Sequence, residues 1–119
     1  MSVRLEFRDH AAHITLNHPP VNVINIAMME ALLSAIREAE SRADVTSMVF
    51  RGEGKGFSAG VDIAEHTPEK IQEMLSKFHA VILAIARSQK VSIAAVHGNC
   101  LGGGADLLLE RQGVQCRRL

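Results

Sequence analysis

The first part of the chain alternates apolar and polar residues with a period of two, which is typical of strands. Residues Val3 to Phe7 alternate apolar with charged side chains, and residues His13 to Asn17 repeat the pattern after a short loop. Such alternation indicates a strand with one buried face. Because the two segments are close together, they predict a β-hairpin that ends at Pro19 and Pro20.

Further along, apolar residues recur at helical spacing and predict two helices. The first is expected from about Ile26 to Arg42, with Asn25 as its N-cap, because an asparagine side chain can accept a hydrogen bond from the first turn. The second is expected to begin near Thr67-Pro68-Glu69, where threonine would be the cap. The apolar stripes are Met29, Leu32, Leu33, Ile36 and Ala39 in the first helix and Ile71, Met74, Leu75, Phe78, Ile82 and Ile85 in the second.

Three more segments complete the predicted pattern. Residues Ser47 to Phe50 are expected to form a strand, and the glycine-rich stretch from Arg51 to Gly56 an irregular loop. Residues Val91 to Val96 are apolar nearly throughout, which predicts a strand covered on both faces. A third helix is expected from about Ala105, so the chain as a whole predicts a mixed α/β fold.

Composition narrows the class of protein. With 119 residues, of which 47% are hydrophobic, the chain predicts a single small domain, residues 1–119. The formal net charge is zero, so charge gives no support to a nucleic acid or membrane partner. No apolar run is long enough to span a bilayer, and the N-terminus lacks the apolar core of a signal peptide. Cys100 and Cys116 form no C-x-x-C pair, which favours a reducing compartment and a cytoplasmic location.

Two glycine-rich turns carry the candidate chemistry. One spans residues 57–62 and the other residues 97–106, and each follows a strand-like run. If they converge, their backbone N–H groups could form a two-donor oxyanion hole for an acyl group. The alternative is that both are only tight connections between a strand and a helix. Asp106 lies just inside the third helix, where an acidic residue is also favoured for helix stability alone.

The two turns, in this order, resemble those of the crotonase family (enoyl-CoA hydratase/isomerase), and the resemblance runs from about Val3 to Leu109. It implies an α/β fold built as a spiral of ββα units and an acyl thioester of coenzyme A as the ligand. It implies no metal and no redox cofactor, since coenzyme A is part of the substrate. The residues implied to lie along the coenzyme A arm are Ser58, Ala59, Gly60, Val61 and Asp62.

The resemblance also implies a reaction, the addition of water to an α,β double bond through an enolate. The oxyanion donors would be the N–H groups of Val61 and Gly103. Asp106 would be the first of two catalytic carboxylates, a position where the family usually has glutamate. The segments Pro19 to Ile24 and Gly60 to Pro68 are also similar to cyclic dienoyl-CoA hydratases of aromatic degradation, which is one alternative. A catalytically inactive fragment that binds acyl-CoA is the other.

In crotonases the chain continues for about the same length again, and the second carboxylate lies in that later part. Here apolar periodicity stops after Leu109, and residues from about 110 to 119 form an atypical tail. We therefore expect a crotonase-like domain that is truncated after the third main helix by a shortened or frame-shifted gene. Family members usually form trimers or hexamers through C-terminal helices, so the oligomeric state of this chain stays open.

Other motifs give weaker alternatives. Residues 56–60 match the G-x-S-x-G nucleophile elbow, which would make Ser58 the nucleophile of a serine hydrolase. That elbow needs a strand running directly into it and a helix leaving directly from it, whereas here a glycine-rich loop precedes it and the next helix is expected only near Pro68. Residues 52–56 lack the spacing of dinucleotide and phosphate-binding loops, and no H-E-x-x-H pair predicts a metal site.

Overall fold

One five-stranded sheet organises the structure, with two helices as crossovers between its parallel strands. The computed structural model describes residues 2–19, 22–54, 56–58, 60, 62–65, 67–96 and 113–116. The strands are β1 (Val3–Arg8), β2 (Ala11–Leu16), β3 (Ser47–Gly52), β4 (Val91–Val96) and β5 (Gly113–Cys116), and the helices are α1 (Ile26–Ser41) and α2 (Ile71–Ala86). The sheet order is β1-β2-β3-β4-β5. Only β1 and β2 pair antiparallel, and the other described pairs are parallel.

The predicted hairpin is confirmed, with strands slightly longer than expected. Arg8 pairs with Ala11, so only Asp9 and His10 form the loop. Their φ angles are 51° and 65°. Positive φ at both central residues gives a turn whose twist matches that of the two strands. The second strand therefore begins at Ala11, two residues before the predicted start at His13.

The core lies between one face of the sheet and the two helices. Register places Leu5 beside Ile14 and Ile14 beside Phe50, so their side chains share one face. The buried residues of this face and of the helices are Val3, Ala12, Ile14, Leu16, Met48, Phe50, Met28, Met29, Leu32, Ala35, Ile36, Ala39, Met74, Val81 and Ile85. Burial of apolar surface on this scale is the main term that stabilises the fold. The core also holds the ends of β2 and β3 in place beside the glycine-rich loop.

Helix α1 follows the prediction closely. The side chain of Asn25 accepts a hydrogen bond from the N–H of Met28 at 2.8 Å, which confirms the predicted N-cap. The helix ends at Ser41, one residue before the predicted end. Leu33 is only half-buried, whereas Met28 and Ala35 join the core. The buried face is thus wider than the predicted stripe because the sheet and α2 both cover α1.

Helix α2 starts later than predicted. Residues 67–70 form a turn in which the carbonyl of Thr67 accepts hydrogen bonds from the N–H groups of Lys70 and Ile71. The helix begins at Ile71, and Lys70 is its N-cap without a side-chain cap bond. Leu75, a member of the predicted stripe, is 55% exposed. Val81 is buried in its place, because the helix turns a neighbouring face toward α1.

Three predictions about strands are corrected. Arg51 and Gly52 continue β3, pairing with Thr15 and Leu16, although a loop was expected from Arg51 onward. The described residues cover β4 on one face only, since Ser92 and Ala94 are buried while Val91 is 48% exposed. Residues 113–116, within the tail that showed no apolar periodicity, pair with residues 93–96 as β5. Backbone hydrogen bonding to β4 explains how a segment without a clear pattern forms a strand.

The third helix, expected from about Ala105, lies outside the described residues. Among the residues that the structure describes, neither helix is both long and apolar enough to cross a membrane.

Candidate functional site

The loop after β3 contains the described part of the predicted site. Ser58, Gly60 and Asp62 are described, whereas Ala59 and Val61 lie outside the described residues, as do Gly103 and Asp106. The convergence of the two glycine-rich turns therefore stays a prediction. The structure does define how the first turn is supported.

Ile24 holds the loop on both sides of position 61. Its N–H donates to the carbonyl of Gly60 at 2.8 Å, and its own carbonyl accepts from the N–H of Asp62 at 2.9 Å. Gly60 has a φ of 101°, a conformation that favours glycine because it has no Cβ. The segment that precedes α1 thus fixes the path of the loop through its backbone.

Ser58 stabilises this loop through two hydrogen bonds of its hydroxyl group. Its side chain is fully buried, and its hydroxyl donates to the carbonyl of Asn22 at 2.8 Å. The same oxygen accepts a hydrogen bond from the N–H of Gly60 at 3.0 Å. A serine nucleophile must be accessible and must give its proton to a base. Because the proton of Ser58 is committed to a buried backbone carbonyl, the geometry argues against the serine hydrolase alternative.

Asn22 is the main organiser of the loop, and the sequence reasoning did not single it out. It is fully buried. Its side-chain nitrogen donates to the carbonyls of Glu53, Gly56 and Phe57 at 2.8, 3.0 and 3.1 Å. Its side-chain oxygen accepts from the N–H of His18 at 2.8 Å. The two N–H bonds of this amide are thus shared among three carbonyls, and the side chain connects four backbone groups from two separate loops.

A sequence signal for Asn22 existed in the turn that follows Pro19. The φ angle of Asn22 is 54°, in the left-handed region that asparagine tolerates better than most residues. A second backbone bond, from the N–H of Asn22 to the carbonyl of His18 at 2.7 Å, closes the turn. An asparagine in a proline-containing turn indicates such a role, but its partners 31 to 35 residues later could not be read from the pattern.

Gly52 allows the loop to fold back on the end of β3. A Cβ at this position would lie 2.6 Å from the carbonyl oxygens of both Gly56 and Phe57. Those two carbonyls are among the acceptors of Asn22. The absence of a side chain at Gly52 and the amide of Asn22 therefore act on the same stretch of backbone.

Two acidic residues after the loop accept hydrogen bonds from backbone N–H groups. The carboxylate of Asp62 accepts from the N–H of Ala64 at 2.9 Å, within a 3₁₀ turn that spans Ile63–Glu65. Glu65 accepts from the N–H of Ile26, the first residue of α1, at 2.6 Å. A carboxylate is favourable at a helix N-terminus because it faces the unpaired N–H groups and the positive end of the helix dipole. Glu65 thus connects the loop to the start of α1, whereas the carboxylate of Asp62 stabilises the 3₁₀ turn itself.

The outer face of the sheet carries a titratable group of altered pKa. Burial lowers the pKa of His13 below its usual 6.5, and the positive charges of Arg8 and Arg51 lower it further. The Nδ1 atom of His13 and the Nε atom of Arg51 are buried without a hydrogen-bond partner in the described structure. His13 points away from the core. Its lowered pKa therefore arises from its surroundings on the outer face of the sheet and not from the glycine-rich loop. Within the described residues, no group of three His, Cys, Asp or Glu side chains could hold a metal ion.

The sequence of this chain matches a known protein family and several known proteins. The family model described as Enoyl-CoA hydratase/isomerase matches residues 6–110. A "Probable enoyl-CoA hydratase" of Bacillus subtilis (strain 168) is 34% identical over 112 residues, which cover 91% of this chain and 43% of that relative. The "Cyclohexa-1,5-dienecarbonyl-CoA hydratase" of Thauera aromatica is 28% identical over 107 residues, covering 90% of this chain and 42% of that relative.

A solved structure confirms the predicted fold class. The crystal structure of an enoyl-CoA hydratase/isomerase from Xanthobacter autotrophicus Py2 matches with a TM-score of 0.90 and 28% identity. The match covers 98% of this chain and 46% of that structure. This chain therefore has the crotonase-like α/β fold, and it spans less than half the length of the two relatives and the solved structure described above.

Proposed function

Because the chain belongs to the enoyl-CoA hydratase/isomerase family, we propose that it supplies half of a site for an acyl thioester of coenzyme A. The reaction is the addition of water to the α,β double bond, during which negative charge moves onto the thioester oxygen. The N–H groups of Val61 and Gly103 donate to that oxygen. Each such donor is worth about 3 kcal/mol of transition-state stabilisation when it is held in place beforehand.

The fixed loop around position 61 is the observation that supports this proposal. An oxyanion donor is effective only if the backbone that carries it does not have to reorganise during the reaction. The hydrogen bonds of Ile24 to Gly60 and to Asp62 hold the loop on either side of Val61. Ser58 and Asn22 hold the same loop from inside.

Asp106 acts in the proton transfers of the proposed reaction. Proton transfer by a positioned general acid or base typically raises the rate of a reaction by about 10²–10⁴-fold. By the family pattern, a second carboxylate from a later segment shares the water with Asp106. We therefore expect residues 1–119 alone to bind an acyl-CoA without hydrating it.

The proposed partners follow from the same assignment. The residues along the coenzyme A arm are Ser58, Ala59, Gly60, Val61 and Asp62, and Ser58 contributes there by shaping the backbone, since its side chain is buried. Coenzyme A is part of the substrate, and no separate cofactor is proposed. The proposal includes a cytoplasmic location and, for a full-length form, a homotrimer or hexamer.

A cyclic dienoyl-CoA hydratase is the second candidate. It is favoured by the similarity to the cyclohexadienecarbonyl-CoA hydratase of Thauera aromatica, which covers 90% of this chain. The two candidates share the oxyanion donors and differ in the acyl group that is accepted. The affinities for crotonyl-CoA and cyclohexa-1,5-diene-1-carbonyl-CoA distinguish the two candidates. Tighter binding of the cyclic thioester would favour the cyclic dienoyl-CoA hydratase, and tighter binding of crotonyl-CoA would favour the enoyl-CoA hydratase.

Calorimetric titration of residues 1–119 tests the proposal. We expect crotonyl-CoA to bind more tightly than free coenzyme A, which has the same nucleotide and pantetheine but no thioester oxygen. Spectrophotometry at the absorbance of the conjugated double bond should show no hydration. Equal affinities for the two ligands would contradict the oxyanion-hole assignment, and turnover would show that the general acid and base both lie within these residues.

A further inference from the structure

Strand β1 forms one edge of the sheet. Among the described strands it pairs only with β2, so its other side has no strand partner in the described structure. An edge strand of this kind can pair with a strand from another chain, because half of its backbone hydrogen-bonding groups face outward.

The register identifies the outward groups. The N–H of Asn17 donates to the carbonyl of Ser2 at 2.8 Å, so these two residues form a hydrogen-bonded pair that continues the β1–β2 register. Hydrogen-bonded and non-hydrogen-bonded pairs alternate along an antiparallel ladder. Arg4 and Glu6 therefore bond toward β2. The backbone groups of Val3, Leu5 and Phe7 face the open edge.

A groove with a volume of about 490 Å³ lies next to this edge. Its floor includes Val3 and Leu5 on β1, and its wall includes Ala31, Ser34 and Ala35 on α1. Three of the four α1 residues that line the groove have small side chains and leave room above the strand, and the fourth is Glu38. Apolar side chains of an added strand can therefore lie beside Val3 and Leu5 and extend the core.

We propose that a second copy of this chain adds its β1 antiparallel to β1, with the two-fold axis at Leu5. In this register Leu5 pairs with Leu5 of the second copy, and Val3 pairs with its Phe7. Because the backbone groups of Val3, Leu5 and Phe7 face the open edge, these pairs can exchange hydrogen bonds between the two strands. Arg4 then lies opposite Glu6 of the second copy, and by symmetry Glu6 lies opposite its Arg4. Such an interface is self-complementary, as two-fold symmetry requires.

The charge pattern selects this register over its neighbours. An axis at Glu6 would place Glu6 against Glu6 and Arg4 against Arg8, and an axis at Arg4 would place Arg4 against Arg4. Like charges directly opposite each other destabilise a strand pair, and opposite charges stabilise it. An axis at Phe7 also pairs opposite charges, but it overlaps only residues 6–8 of the two strands. The Leu5 axis overlaps residues 3–7 and makes both Arg–Glu pairs.

Charge reversal tests the interface by sedimentation equilibrium of residues 1–119. The unaltered chain should form dimers. Arg4→Glu and Glu6→Arg should each weaken dimerisation about tenfold or more, because each variant places like charges opposite each other twice. The double variant Arg4→Glu/Glu6→Arg should restore the dimer. An equimolar mixture of the two single variants should form a heterodimer, since the two charge patterns are then complementary.

Arg37→Glu is the control, because it reverses an exposed charge on α1, away from the paired strands. It should leave the dissociation constant within about twofold of the original. A monomer at all concentrations would overturn the proposal, and so would a dimer that is insensitive to both single variants. Failure of the mixture to associate, with both variants folded by circular dichroism, would also overturn it. Should one single variant fail to fold, the other single variant compared with Arg37→Glu decides in the same way.

Discussion

At the scale of single residues, the support of the first glycine-rich turn rests on Asn22 and its partners. The amide of Asn22 spans two loops that are more than thirty residues apart in sequence. Its removal would leave buried carbonyls without donors, and an unsatisfied buried acceptor is more costly than a lost surface hydrogen bond. Asn22 therefore connects the stability of the domain with the geometry of the candidate site.

Replacing Asn22 with alanine should lower the free energy of unfolding by about 2–4 kcal/mol, since several buried carbonyls lose their donor together. Asn25→Ala is the matched control, because Asn25 makes a single cap bond and its loss should cost about 1 kcal/mol. Urea unfolding followed by circular dichroism measures both. A smaller effect for Asn22→Ala than for Asn25→Ala would contradict the organising role of Asn22.

The pKa of His13 predicts a pH dependence of stability. The folded-state pKa lies below the usual value of 6.5, chiefly because of burial, so the unfolded chain takes up a proton first. Stability is then highest above the unfolded pKa and falls as the pH is lowered through 6.5 toward the folded pKa. His13→Gln should lose less stability than the unaltered chain between about pH 8 and about pH 5.5. Identical pH dependences for His13→Gln and the unaltered chain would rule out His13 as the cause.

At the scale of elements, local signals predicted some helices and strands well and others poorly. The cap at Asn25 and the hairpin were predicted because their determinants are adjacent in sequence. The start of α2 was not, since Thr67 resembles a cap but lies in a turn that precedes the helix. Strand β5 was not predicted either, because pairing with β4, about twenty residues away, provides its hydrogen bonds. The loop contacts of Asn22 are long-range for the same reason, whereas the glycine-rich motif itself was visible in the sequence.

The corrected start of α2 makes a quantitative prediction. Thr67→Ala should lower the free energy of unfolding by less than about 0.5 kcal/mol, because the helix has Lys70 and not Thr67 as its N-cap. Asn25→Ala, which removes a real cap, should lower it by about 1 kcal/mol in the same urea titration. A larger loss for Thr67→Ala would indicate that the helix begins at Thr67 in solution.

At the scale of the whole molecule, the domain buries one face of its sheet and leaves the other partly open. The core lies under α1 and α2, whereas Val91 is 48% exposed and Ile93 and Val49 are half-buried on the opposite face. A small domain that covers its sheet on one side buries a small fraction of its surface, and its stability is correspondingly low. The proposed edge pairing through β1 would add burial without covering that open face. The site loop lies at the ends of β2 and β3, where the N–H of Glu53 donates to the carbonyl of the buried Leu16.

An amide NMR titration of residues 1–119 with crotonyl-CoA and with free coenzyme A shows whether backbone N–H groups of both glycine-rich turns bind the thioester oxygen. The amide signals of Val61 and Gly103 should shift with crotonyl-CoA, in the direction of stronger hydrogen bonding, and should shift much less with free coenzyme A. If both ligands shift these two signals equally, or if only one turn responds to the thioester, the two turns do not form one oxyanion hole and the account is contradicted.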